Sequence, residues 1–133
     1  MRYLLDTNIC IYIAKQNPPK VMARVSRLAP GEVAMSVVTY GELRFGAEKS
    51  ARSAAALRSL NEFIEAVPVL SFDKETGANY GRLRFDLEQR GQPIGNNDLW
   101  IASHCLQLGL TLVTNNEREF SRIPNLAIEN WTH

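Results

Sequence analysis

Asp6 follows the apolar run Tyr3-Leu4-Leu5, and Asn115-Asn116 follow the apolar run Leu110 to Val113. Glu42 falls in the first helical turn expected after the run Val33 to Val38, and Asp98 opens a further helix. If the apolar runs are strands of one parallel sheet, these side chains converge outside the carboxyl ends of the strands, where open α/β sheets bind ligands. Carboxylates drawn into a partly desolvated cleft repel one another, and a divalent cation removes that conflict. Oxygen donors with no His or Cys beside them in the sequence select a hard ion such as Mg²⁺ or Mn²⁺. An ion held this way acidifies a water, polarises a phosphoryl oxygen and steadies a leaving oxygen, so the chemistry expected is that of phosphate esters.

Each of these residues also has a plainer reading. Asp6 could be a turn residue, although Thr7 and Asn8 add further oxygens and no obvious capping pattern follows. Glu42 could be half of a capping box begun by Thr39. Asp98 suits the positive end of a helix, and Asn115-Asn116 suit a turn. Singly, these readings win or tie; the joint placement at strand ends tips the balance to a site. His104 lies among apolar neighbours in the helix from Asp98 to Leu108 and reads as a packed or partner-facing histidine, not a general base, while His133 is terminal. Trp100 and Trp131 could stack on nucleobases, but core packing is the first expectation for both. Cys10 and Cys105 are far apart, belong to no Cys-x-x-Cys pair, and read as buried thiols of a reducing compartment.

The elements that must position the acids can be traced along the chain. Strands are expected at Tyr3 to Leu5, Val33 to Val38, Val67 to Leu70, Leu110 to Val113 and Ala127 to Glu129. Pro68 marks the third as an edge or a strand start. Helices are expected over Ile9 to Ala14, Lys20 to Leu28, Thr39 to about Lys49, Ala51 to Ala66, Asp73 to about Arg90 and Asp98 to Gly109. Strand–helix alternation through the whole length reads as an α/β fold, with a parallel sheet covered by helices on both faces.

The chain of 133 residues is 45% hydrophobic and 22% charged, the composition of a single globular domain over 1–133. Its net charge of +1 does not mark a nucleic-acid binder. Arg44, Lys49, Arg52 and Arg58 form a basic stretch broken only by Glu48, and each alone reads as part of a solvated helix face. Asp6 interrupts the first apolar run almost at once, no run is long enough to span a bilayer, and a cytoplasmic protein is expected.

Several segments, in order, resemble the VapC branch of the PIN-domain nucleases. They are Tyr-Leu-Leu-Asp-Thr-Asn at 3–8, Thr-Tyr-Gly-Glu-Leu at 39–43, Gly-Ala-Glu-Lys-Ser at 46–50 and Pro-Ile-Gly-Asn-Asn-Asp-Leu-Trp-Ile-Ala at 93–102. Leu-Val-Thr-Asn-Asn-Glu-Arg-Glu-Phe at 112–120 and Ile-Glu-Asn-Trp at 128–131 complete the set. Leu-Asp-Thr-Asn alone is a weak signal; the ordered series is a strong one. The resemblance implies a PIN-like fold, with a mostly parallel sheet of about four to five strands. It implies an Mg²⁺- or Mn²⁺-dependent endoribonuclease that is the toxin of a toxin–antitoxin pair. Asp6, Glu42 and Asp98 match the family's acidic metal positions. A fourth acidic position falls on Asn116, which removes a charge and weakens a second metal site, and Glu119 is the residue that can make up the missing carboxylate. Thr7, Asn8 and Thr114 are the donors expected to fix the carboxylates. The implied reaction is in-line attack of water on an RNA phosphodiester, leaving a 5′-phosphate and a 3′-hydroxyl, with Glu42 or Asp98 orienting the water.

The partners implied are a structured RNA, tRNA anticodon loops foremost, a VapB-type antitoxin that pushes a basic side chain into the acidic site, and a second copy of the chain. Direct contact with DNA falls to the antitoxin, and no membrane is involved. Two other readings stand beside this one. An inactive PIN-fold module that binds RNA or a partner is kept open by Asn116. A receiver-like phosphoacceptor domain shares the parallel sheet and strand-end acids, but would want adjacent acids at Asp6 and a Lys where Asn115-Asn116 stand.

Overall fold

The computed structural model describes every residue from Met1 to His133. Its strands are β1 (Tyr3–Leu5), β2 (Val33–Ser36), β3 (Val69–Leu70), β4 (Thr111–Val113) and β5 (Ile128–Glu129). Its helices are α1 (Thr7–Ala14), α2 (Pro19–Val25), α3 (Val37–Glu48), α4 (Ser53–Ala66), α5 (Lys74–Gln89), α6 (Asn96–Leu108) and α7 (Glu117–Phe120). The strands form one sheet in the order β3-β2-β1-β4-β5, and every pairing is parallel. Right-handed crossovers through helices are what parallel neighbours require, so helices must cover both faces.

Alternation along the central strands assigns those faces. Leu4, Ala34 and Leu112 point into a core with Leu83 and Leu87 of α5, Leu99, Ile101 and Cys105 of α6, and Phe120. Their neighbours Tyr3, Leu5, Met35 and Val113 point the other way, into a core with Ile9 and Cys10 of α1, Val21 of α2 and Trp131. A one-residue slip in β1 would exchange the two sets, so the register is tightly specified. Trp131 is buried edge-on against Tyr3, and its Nε1–H donates to Glu129 at 3.0 Å. Gly109 ends α6 in the left-handed region at φ 67°, a conformation that a side chain at this position would strain. No helix is long and apolar enough to cross a membrane.

Several boundaries differ from those expected, for physical reasons. The second strand stops at Ser36, not Val38, because the Ser36 hydroxyl accepts the Val38 backbone N–H at 3.2 Å and starts α3 there. Thr39 is therefore inside the helix and forms no capping box with Glu42, which sits in the second turn and not the first. The third strand is shortened to Val69–Leu70; it lies at the sheet edge, as Pro68 suggested. Helix α1 starts two residues earlier than expected because Asp6 does cap it: Oδ1 accepts the Ile9 backbone N–H at 3.0 Å. Helix α7 was not anticipated, being a single short turn with one buried apolar residue, Phe120.

Candidate active site

Because β1 is central and the chain adds β2 and β3 on one side and β4 and β5 on the other, the connections leaving β1 and β4 diverge. Open parallel sheets bind ligands at such a switch point. Asp6 leaves β1 and Thr114 leaves β4 at this place, and the Asp6 backbone N–H donates to the Val113 carbonyl at 3.0 Å.

Asp6 is 5% exposed, and each of its carboxylate oxygens accepts a hydrogen bond. Oδ1 caps α1, and Oδ2 accepts the hydroxyl of Thr114, whose Oγ1 in turn accepts the Asn116 backbone N–H at 2.9 Å. Burial pushes the Asp6 carboxyl above its ordinary range, against the lowering effect of those hydrogen bonds, and Glu42 adds repulsion. Glu42 is half-buried and accepts the Thr7 hydroxyl at 2.6 Å; that hydroxyl also lies 3.3 Å from Thr39 Oγ1. Thr7 and Thr114 thus hold carboxylates, as expected of them. The side chain of Asn8 is exposed and holds none, although its backbone N–H contributes to Asp6.

Asp98, in the first turn of α6, completes the convergence. Burial raises its carboxyl to about 6, and Glu119, Asp6 and Glu42 each add to the rise by repulsion, Glu119 lying near enough to share a proton with it. Glu119 is itself placed by Asn116, whose Nδ2 donates to Oε2 at 2.8 Å. All the acids singled out in the sequence therefore face one region, and Asn116 reaches it through Glu119. No three of them are drawn tightly enough together to enclose an ion by themselves. An ion bound here would therefore have to take the rest of its ligands from water, as small hard cations can.

The approaches to the acids differ in character. An open cavity of about 650 Å³, lined by Thr7, Val38, Gly41, Glu42, Phe45 and Asn97, leads to Glu42 from solvent. A largely apolar groove of about 620 Å³ runs between α1, α3 and α4, past Ile11, Leu43 and Phe63, and also ends at Thr7 and Glu42. Phe45, 65% exposed with Lys49 over its ring, is a residue at this mouth that sequence reasoning passed over. Its exposure depends on the pitch of α3, which no local pattern announced. Arg44 is engaged with Glu48 on the helix surface at 2.8 Å, and Arg52 and Arg58 are exposed.

The residues read as structural are placed so. Trp100 stacks on Tyr80 at 3.7 Å and on Phe72 at 5.1 Å, and His104 is 1% exposed. Cys10 and Cys105 are buried free thiols, pushed up by burial, Cys105 to about 12, so neither forms a thiolate near neutrality.

Asn116→Asp would restore a carboxylate beside Glu119 and Asp98. It is expected to lower the Mn²⁺ concentration giving half-maximal binding about three- to tenfold, read by isothermal titration calorimetry, because one added ligand charge outweighs the lost amide bond. Unchanged or weaker binding would show that Asn116 does not face the ion.

A family model described as "PIN domain" matches residues 3–126. The chain is 42% identical over 132 residues to "Ribonuclease VapC2" of Rickettsia felis, covering 98% of both chains. It is 39% identical over 132 residues to the "tRNA(fMet)-specific endonuclease VapC" of Shigella flexneri, covering 99% of both. Among solved structures, VapBC-1 from nontypeable Haemophilus influenzae superposes with a TM-score of 0.92 at 42% identity over all of both chains. VapBC2 from Rickettsia felis, solved bound to a DNA fragment from its promoter, superposes with a TM-score of 0.90 at 42% identity, covering 98% of this chain and 99% of that one.

Proposed function

The chain belongs to the PIN-domain family as a VapC ribonuclease, the toxin of a VapBC toxin–antitoxin pair, and from that premise we propose that it is an Mg²⁺- or Mn²⁺-dependent endoribonuclease that cuts a structured RNA, tRNA foremost. The observation that carries this reading is the convergence on Asp98. A carboxyl raised to about 6 by burial and by Glu119, Asp6 and Glu42 is in an arrangement that is unfavourable until a cation enters it.

Asp6, Glu42 and Asp98 would hold the metal, with Asn116 and Glu119 at the fourth position. When bound, the cation supplies positive charge and Lewis acidity toward a phosphodiester and a water. Thr114 and the first turn of α1 hold the carboxylate of Asp6, which would be the central ligand, and Thr7 holds that of Glu42. Glu42 or Asp98 would orient the attacking water and take its proton; the new bond is oxygen to phosphorus, the bond to the 3′ oxygen breaks, and that oxygen takes up a proton from solvent. The products are a 5′-phosphate and a 3′-hydroxyl. A loop substrate suits the open cavity beside Glu42, since unpaired nucleotides can splay into it. A relative named as a tRNA(fMet)-specific endonuclease supports tRNA as the class.

The VapB-type antitoxin is proposed to lie in the apolar groove between α1, α3 and α4, from whose end a basic side chain would reach Glu42 and stand in for the metal's charge. A second copy of the chain is a further proposed partner, with Phe85 of α5, 68% exposed, as apolar surface for it. In the promoter-bound state we propose that the antitoxin makes the DNA contacts, in keeping with the net charge of +1 on this chain. A receiver-like phosphoacceptor has no support: Asp6 lacks an acidic neighbour, and Asn115-Asn116, not Lys, follow β4.

The test is incubation of antitoxin-free protein with total RNA and with tRNA, in Mg²⁺, Mn²⁺ or EDTA, alongside Asp6→Ala. Discrete fragments bearing 5′-phosphates, absent in EDTA and with Asp6→Ala, are the expected result. Intact RNA under all conditions, with folded protein, would leave the binding-module reading in its place.

A further inference from the structure

His104 and Ser36 take no part in the chemistry above, yet they join the two helices that carry Glu42 and Asp98. His104 lies on α6, about two turns beyond Asp98. Its Nδ1 is 3.0 Å from Oγ of Ser36, a fully buried residue. Ser36 is the last residue of β2 and the cap of α3, and Glu42 lies about two turns further along that helix. Ser36 Oγ accepts the Val38 backbone N–H and still has its own hydrogen to give to Nδ1, the arrangement that puts the imidazole proton on Nε2.

The Nε2 side is unusual. It has no hydrogen-bond partner of good geometry, though the Ser71 backbone and Asp73 favour a proton on the ring; burial outweighs them and pushes the imidazole below its ordinary range, and Phe72 meets the ring edge-on at 4.9 Å. An apolar side chain would fill this place without a poorly paired buried nitrogen, which is costly. What the imidazole offers here that an apolar side chain would not is its contact with Ser36.

We propose that His104 is a positioning residue, which through Ser36 pins the start of α3 to α6 and so fixes Glu42 relative to Asp98. The inference rests on the nuclease reading, in which those two carboxylates must act on one cation. A shift of α3 by a fraction of an ångström would carry Glu42 with it, and misplacement of about 1 Å at a reacting centre can cost on the order of 100-fold in rate.

The test compares His104→Asn with His104→Gln in the full chain. The Asn amide falls where Nδ1 was and can still take the Ser36 hydroxyl; the Gln amide falls nearer Nε2 and cannot. Three quantities are read: the rate constants for RNA cleavage, Mn²⁺ affinity from the free-ion electron paramagnetic resonance signal, and the thermal midpoint. His104→Gln is expected to lower kcat about tenfold or more, with KM for RNA within about twofold, and to weaken Mn²⁺ binding several-fold. His104→Asn should recover most of both losses. Combining Ser36→Ala with His104→Gln should cost no more than the worse single change, since one contact is removed once.

Equal losses in Asn and Gln, or losses that only follow the fraction of folded protein, would overturn the proposal. If the wild type binds Mn²⁺ but cuts no RNA, the nuclease reading fails while the Mn²⁺ comparison still decides this one. If the wild type binds no Mn²⁺, both fail.

Discussion

The Asp98→Asn protein is expected to lose RNA cleavage by about 1000-fold or more and, free of metal, to unfold at a higher temperature than the wild type. The first effect follows, on the proposed reading, from removing a carboxylate from a site that would work by charge stabilisation. The second follows from the sign of the carboxyl's shift. Asp98 is raised from 3.8 to about 6 in the folded chain by burial, Glu119, Asp6 and Glu42, in that order. A folded-state value above the unfolded one means that folding favours the protonated form. The favourable contribution is complete below the unfolded value and is lost as the pH rises through about 6, leaving at neutrality an ionised group among like charges. Asparagine keeps the shape without the charge. Since the group is partly open to solvent, screening reduces the gain to about 1 kcal/mol, or a few degrees in thermal midpoint for a chain of this size. Melts in EDTA at pH 7.5 and pH 4 check it: the variant's advantage should be present at the first and mostly gone at the second. A variant no more stable than the wild type at pH 7.5 would mean that the acids do not burden the metal-free fold.

That tension between stability and site explains why the placement of acids was legible in the sequence before any single role was. Asp6 ends the apolar run of β1, Glu42 and Asp98 lie in the early turns of α3 and α6, and the alternation of Leu4 against Tyr3 and Leu5 fixes the face that each helix covers. Local patterns misled where two motifs competed for one segment. Thr39 and Glu42 have the spacing of a capping box, but Ser36 offers its hydroxyl to Val38 earlier and takes the cap. Asp6 shows no capping pattern in the sequence, since Thr7 and Asn8 follow it; it caps α1 and also accepts Thr114, residues joined only by the pairing of β1 with β4. The His104–Ser36 contact was hidden for the same reason. It spans two helices and depends on tertiary distance, whereas the apolar company of His104 in the sequence correctly showed burial.

A second large effect is expected from pH at limiting metal. With Mn²⁺ well below saturation, the cleavage rate should fall about tenfold for each unit that the pH drops below about 6, and this acid limb should move to lower pH as Mn²⁺ is raised. On the proposed reading, protons and the cation compete for the same oxygens. In the metal-free site Asp98 holds its proton up to about 6, so the cation must displace it there. Each tenfold rise in Mn²⁺ lets binding win at about one pH unit lower until the metal saturates the site or another carboxylate takes up a proton. Rate–pH profiles at two Mn²⁺ concentrations about 100-fold apart suffice as the measurement. A limb that stays at one pH regardless of metal belongs to a group that does not compete with the ion, and would move the assignment away from Asp98. A limb that shifts with metal in the wild type, and moves again when Asn116→Asp adds a competing carboxylate, ties Asp98, Glu119 and position 116 to one cation.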